Sequence, residues 1–274
     1  MQNLPQNLRA AADRVRHVVP DMRSARDMIN CLDLTAINRN VNPMLINHIC
    51  RDADQGPLGK AASITVHSSF LSQAFNNVAR RRVPIGTVIN YPGGAGAISQ
   101  TERETHNAVI RGASEIEIVL DYNSLKDGDK ATTRALLLAC KKACGKDAIM
   151  KVVIETSAFR DHDALYDAAC LAMDCGADML VTATDAPGNR SNTTLEAAAT
   201  LLQAIKDNGK KTGLKIAGEI DSARNHAPYM ALARHMMGDN WVKPENFRIA
   251  GRALLNEAVN IINTPPRLGH SKGI

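Results

Sequence analysis

Eight short apolar runs recur along this chain, each followed by a polar loop and an amphipathic segment. That rhythm constrains the fold more than any single motif. The runs are DMINCLD (27–33), ASITVH (62–67), IGTVINY (85–91), EIEIVLD (115–121), AIMKVVIE (148–155), DMLVTA (178–183), TGLKIA (212–217) and FRIA (247–250). Strands that alternate with helices pair in parallel, because each crossover returns the chain to the same edge of the sheet. About eight such units in 274 residues predict one (β/α)8 TIM barrel. A doubly wound open sheet is the alternative, but it carries a glycine-rich turn after its first strand. Here the first run leads into LTAINRN, without glycine. Helix punctuation agrees with the alternation. Asn42-Pro43 reads as an N-cap with an N1 proline, and Ser99 with Glu102 and Thr193 with Glu196 read as capping boxes. Gly112, Gly176 and Gly209 read as helix stops.

Composition narrows the function classes. Apolar content of 45% with 22% charged residues is that of a globular chain. No apolar stretch approaches the roughly 18–20 residues of a membrane span. The N-terminus MQNLPQNLRAAADRVRHVV lacks the apolar core of a secretory signal, so a cytoplasmic location is expected. The six cysteines form no CxxC pair and read as reduced, buried thiols. A net charge of +5 with 3% aromatics offers no stacking platform for nucleic acid. The histidines lack HxH or HExxH spacing, so neither a metal nor a cofactor is expected, although His67 ends a strand.

A register can be read inside the strands. RGASEIEIVL and CGADMLVTAT both start from Gly-Ala, which puts Glu117 and Val181 at the same position. Period two along MKVVIET puts Lys151, Val153 and Glu155 on one face, and Lys215 follows the same logic. A lysine or glutamate facing the helix layer would be costly, so these side chains are expected inside the barrel, toward its C-terminal mouth. A buried ion-pair network without chemistry fits the same residues.

Seven segments then carry a resemblance: LDLTAIN (32–38), TVINYPGGA (87–95), SEIEIVLDYNSL (114–125), MKVVIET (150–156), GADMLVTAT (176–184), GLKIAGEI (213–220) and DNWVKPENFRIAGRALL (239–255). In this order, over roughly residues 28–258, they resemble the deoxyribose-phosphate aldolase family. That resemblance implies a barrel and class I aldolase chemistry, in which a lysine forms a Schiff base and splits deoxyribose 5-phosphate. It also implies a departure, because the family's Schiff-base lysine falls where this chain has Val181. A valine cannot add to a carbonyl. The family's second lysine is kept as Lys215, its fourth-strand aspartate becomes Glu117, and Asp33 and Asn38 are kept. A position that is cysteine in some members corresponds to Thr65, and the tail NTPPRLGHSKGI lacks the family's tyrosine. The phosphate-site equivalents are Asp185, Glu219, Asp221 and Arg252: three carboxylates and one guanidinium in place of a neutral to basic cradle. At about 6 Å and an effective dielectric near 20, each like-charge pair costs roughly 2–3 kcal/mol. Weak or absent sugar-phosphate binding is expected.

The leading expectation is therefore an aldolase-like protein that has lost the family cleavage and keeps a binding or protein-interaction role, as monomer or homodimer. One alternative is an active lyase that uses Lys151 or Lys215 for a Schiff base with a non-phosphorylated aldehyde, with Glu117 or Glu155 moving the proton. Retained family activity is another. Residues 1–27 read as a helical extension, with Leu8, Ala11, Ala12, Val15, Val18 and Val19 near one face that packs on the barrel's closed end. Residues 259–274 read as a tail. Tyr91-Pro92-Gly93-Gly94 reads as a tight loop, and Arg80-Arg81-Arg82 as a solvated one.

Overall fold

A computed structural model describes residues 1–37, 41–78, 83–184, 193–218, 220 and 222–264. Eight parallel strands close into a barrel in chain order. They are β1 (Leu32–Ala36), β2 (Ser63–Val66), β3 (Ile85–Ile89), β4 (Glu115–Val119), β5 (Ile149–Val153), β6 (Met179–Val181), β7 (Gly213–Ile216) and β8 (Phe247–Ala250). The ring closes where Leu32 and Asp33 of β1 pair with Ile249 and Ala250 of β8. Around it run α1 (Gln6–Val15), α2 (Met22–Asn30), α3 (Pro43–Asp52), α4 (Leu71–Val78), α5 (Ile98–Ile110), α6 (Tyr122–Lys126), α7 (Lys130–Cys144), α8 (His162–Asp174), α9 (Leu195–Asn208), α10 (Ala223–Met237) and α11 (Ala253–Asn263). The main apolar core fills the space between strands and helices.

Three local expectations need correction. The run DMINCLD is not one strand: Met22–Asn30 is helical and only Leu32 onward is β. Asp21 and Ser24 close a reciprocal cap there, and Ala25, Met28 and Ile29 bury one helical face. Ser99 does not cap α5, which starts after Ala97 without a side-chain cap. Thr194, not Thr193, caps α9 by accepting from the Ala197 amide; Thr193 instead donates to the Ala217 carbonyl at 2.6 Å. Replacing Thr194 by alanine is expected to cost about 1 kcal/mol in a denaturant titration. A change within error would show that α9 is held by packing alone.

The N-terminal segment also sits elsewhere than expected. Helix α1 packs on the outer flank of α9 and α10. Gln2 bonds to the backbone at Arg160 and His162. Arg16 reaches Glu196 at 2.6 Å in the first turn of α9, which lies at the open rim because α9 follows β6. Val18 and Val19 are exposed. The Tyr91–Gly94 loop is tight, as expected. The Asn90 amide group donates to the Gly94 and Val119 carbonyls, and a Cβ on Gly94 (φ +77°) would lie 2.1 Å from the Leu120 oxygen.

His226 ties α10 to the rim. Its ring is fully buried, and Nε2 lies 2.9 Å from the Ile220 carbonyl, which requires the proton on that nitrogen. Burial lowers its pKa to about 4, against the smaller opposing pull of the Ile220 and Ala250 carbonyls. The unfolded chain, with an ordinary histidine near 6.5, binds the proton first, so stability falls as pH drops from about 6.5 to 4. The loss expected across that window is about 3 kcal/mol. Denaturant titrations at the two ends, on wild type and His226→Gln, check it. The variant should flatten the slope; an unchanged slope would assign it to other groups.

Candidate functional site

Inside the barrel, alternation along each strand delivers side chains from neighbouring strands to shared levels. Glu117 of β4 pairs in register with Lys151 of β5. Val153, Val181 and Lys215 lie in register across β5, β6 and β7, and Lys215 is level with Arg248 of β8. The inward set splits into two layers of opposite character.

The lower layer is ionic. Lys151 Nζ lies 2.7 Å from Asp33, 2.6 Å from Glu115 and 3.5 Å from Glu117. Lys215 Nζ lies 2.5 Å from Glu117 and 3.1 Å from Asp33. Arg248 bridges Asp33 at 2.7 Å and Glu115 at 3.2 Å, and its Nε donates to the Pro244 carbonyl. Ser63 donates to Asp33 at 2.6 Å, and the Thr65 hydroxyl approaches Glu117 at 3.4 Å. All six charged groups are buried. Three carboxylates face three cations, so the layer is neutral as a unit.

Pairing decides the protonation states. Burial alone would push the Asp33 carboxyl up, yet Lys151, Lys215 and Arg248 outweigh it and hold Asp33 well below the usual carboxylate range. Burial alone would pull the Lys151 amine down, yet Asp33, Glu115 and Glu117 outweigh it and hold that amine above its ordinary value. Lys151 is therefore an ammonium at any physiological pH, with no lone pair for a carbonyl.

The upper layer, toward the strand ends, is apolar. Ile37, Val88, Val119, Val153, Val181, Ala217 and Ala250 form one cluster with Tyr91 against it, and none of the seven is more than 6% exposed. Val181 is fully buried in it. The side chains gathered around Val181 in this cluster are all hydrocarbon.

The structure thus brings together Asp33, Glu117, Lys151 and Lys215, and adds Glu115 and Arg248. Period two carries both additions, since Glu115 precedes Glu117 by one alternation and Arg248 sits within FRIA. Glu155 does not join them. Its backbone is left-handed (φ +57°), and its carboxylate instead accepts from Ser157 and from the Thr184 hydroxyl and amide. His67 caps a short 3-10 turn through the Ser69 amide. Arg252 is exposed and lines a groove with Leu45, His48 and Asp52. Asn38, Arg80–Arg82, Asp185, Glu219, Asp221 and the tail beyond 264 lie outside the described residues. Among the described residues no cluster of His, Cys, Asp or Glu is arranged to hold a metal ion, and no helix is long and apolar enough to cross a membrane.

Comparison with known proteins places this geometry. The profile of the DeoC/LacD family aldolases matches residues 28–228. A deoxyribose-phosphate aldolase of Agrobacterium fabrum is 32% identical over 235 residues, covering 85% of this chain and 90% of that one. Among solved structures, an apo-form chain from Toxoplasma gondii ME49, provisionally called a deoxyribose-phosphate aldolase, superposes with a TM-score of 0.78 at 21% identity, over 88% of this chain and 96% of its own. The tetrameric deoxyribose phosphate aldolase of Aeropyrum pernix superposes at 0.71 with 16% identity, over 92% and 96%. At these identities the two structures speak to the fold.

Proposed function

The chain belongs to the DeoC/LacD family of aldolases, and we propose that it keeps the family barrel without its Schiff-base cleavage and serves as a binding or interaction protein. What supports this reading is Val181, fully buried in an apolar cluster, at the position that the sequence resemblance assigns to the family's nucleophilic lysine. Carbon–carbon cleavage of this class needs a neutral primary amine at the carbonyl. Lys151 and Lys215 are poor substitutes. Each is buried and held by two or three carboxylates. Freeing either would leave three buried carboxylates facing two cations, a cost of several kcal/mol before any chemistry begins. The acidic residues at the phosphate-site positions, Asp185, Glu219 and Asp221, further disfavour a sugar phosphate.

The test is a direct retro-aldol assay with deoxyribose 5-phosphate, followed by borohydride reduction and peptide mapping. The expected result is no acetaldehyde above the enzyme-free rate and no adduct at Lys151 or Lys215. Turnover with an adduct at either lysine would overturn the reading and identify a relocated nucleophile.

A further inference from the structure

Beyond the barrel interior, a cavity of about 480 Å³ opens between the N-terminal segment and the rim where α9 and α10 begin. That size is typical of small-molecule sites. Its roof is Val18 and Val19, which follow α1 and lie before the family-matched region. The barrel supplies the floor, from Leu195, Ile220 and Tyr229, all buried. Tyr229 is fixed by donating its hydroxyl to the Thr193 carbonyl at 2.6 Å.

The charges in the lining are unequal in availability. Arg16 is consumed by Asp13 at 2.8 Å and Glu196 at 2.6 Å, which also neutralises Glu196. Arg224 has no ion-pair partner among the described residues and stands exposed at the cavity edge. The N-terminal ends of α9 and α10 add positive potential on the same side. Val19 is 61% exposed and presents its side chain at the cavity lining.

We propose that this cavity binds a small organic anion with an apolar body, its charge on Arg224 and its hydrocarbon between the valine roof and the Leu195–Ile220–Tyr229 floor. The site stands apart from the ionic layer, so it does not depend on how the barrel interior is read. A carboxylate and a phosphate monoester share the required chemistry.

The test uses the full chain and the fluorescent anionic probe 1-anilinonaphthalene-8-sulfonate. Saturable binding at one site is expected, weakened about tenfold or more by Arg224→Glu and by Val19→Asp. Both positions are exposed, so both variants should melt with wild type. Displacement by octanoate assigns a carboxylate ligand, and displacement by phenyl phosphate a phosphate ester. Absence of saturable binding by the folded chain, or binding that neither substitution weakens, would overturn the proposal.

Discussion

Replacing Val181 by lysine is expected to give a barrel that forms a reducible imine with acetaldehyde at residue 181 at neutral pH. The new side chain would rise from β6 beside Lys215, its register partner, into a layer of valine and alanine. Two forces there act in one direction. Burial disfavours the ammonium, and the layer below is already neutral, so no spare carboxylate awaits a fourth cation. Both lower the pKa of the new amine. An ordinary surface lysine at pH 7 is neutral in only about 0.04% of molecules, whereas an amine tuned to about 7–8 is neutral in roughly 10–50%. The contrast is roughly two to three orders of magnitude in reactive fraction, enough to single out one lysine after brief borohydride treatment.

Acetaldehyde is the appropriate probe because it carries no phosphate. It separates gain of the nucleophile from gain of a phosphate cradle, to which the sequence resemblance assigns Asp185 and Glu219. Cleavage of deoxyribose 5-phosphate should need Asp185→Gly and Glu219→Gly in addition. The variant should also carry a stability cost with a defined sign. Its folded-state pKa lies below the unfolded value, so the deficit is greatest below that depressed pKa and shrinks as pH rises toward about 10.4. A folded Val181→Lys chain without adduct at residue 181 would mean that the upper layer excludes the carbonyl, and that divergence goes beyond one side chain.

Much of this architecture was legible because parallel strands buried on both faces leave apolar runs of fixed length. Every strand from β2 to β8 falls within its predicted run. The first run misled because a helix and a strand abut there: Met28 and Ile29 belong to a helical face, and Leu32 begins the strand one residue after Cys31. Alternation located Lys151, Lys215 and Glu117 but failed at Glu155, where the left-handed backbone ends the strand's period. Glu115 and Arg248 obey the same alternation, yet a charge near a strand's start reads as a polar flank. The apolar upper layer was not legible. Val88, Val119 and Val153 each look like ordinary strand residues, and only closure of the barrel gathers them around Val181.

Lys151→Met should be the most damaging single substitution in the ionic layer, at about 3–5 kcal/mol, a large share of a typical domain's 5–15 kcal/mol. The methionine fills the volume, so the loss is electrostatic. Lys151 is the only cation of the layer within 4 Å of all three carboxylates, and its removal leaves three acids facing two bases. Adding Glu115→Gln restores neutrality and should recover part of the loss, since Glu115 Oε2 has Lys151 as its charged neighbour. The pH dependence tells this apart from a packing defect. In wild type the depressed Asp33 carboxyl contributes stability that is present above its unfolded pKa near 3.9 and is lost as pH falls through the lower folded value. In the variant three buried carboxyls share two cations, so the excess carboxyl has its folded pKa raised instead. It binds its proton before the unfolded chain does, so the gap to wild type should narrow as pH falls from 7 toward 5. Denaturant titrations of wild type, single and double variants at those two pH values provide the measurement. A deficit that stays constant with pH, or a double variant no better than the single, would show that Lys151 contributes shape and not charge balance.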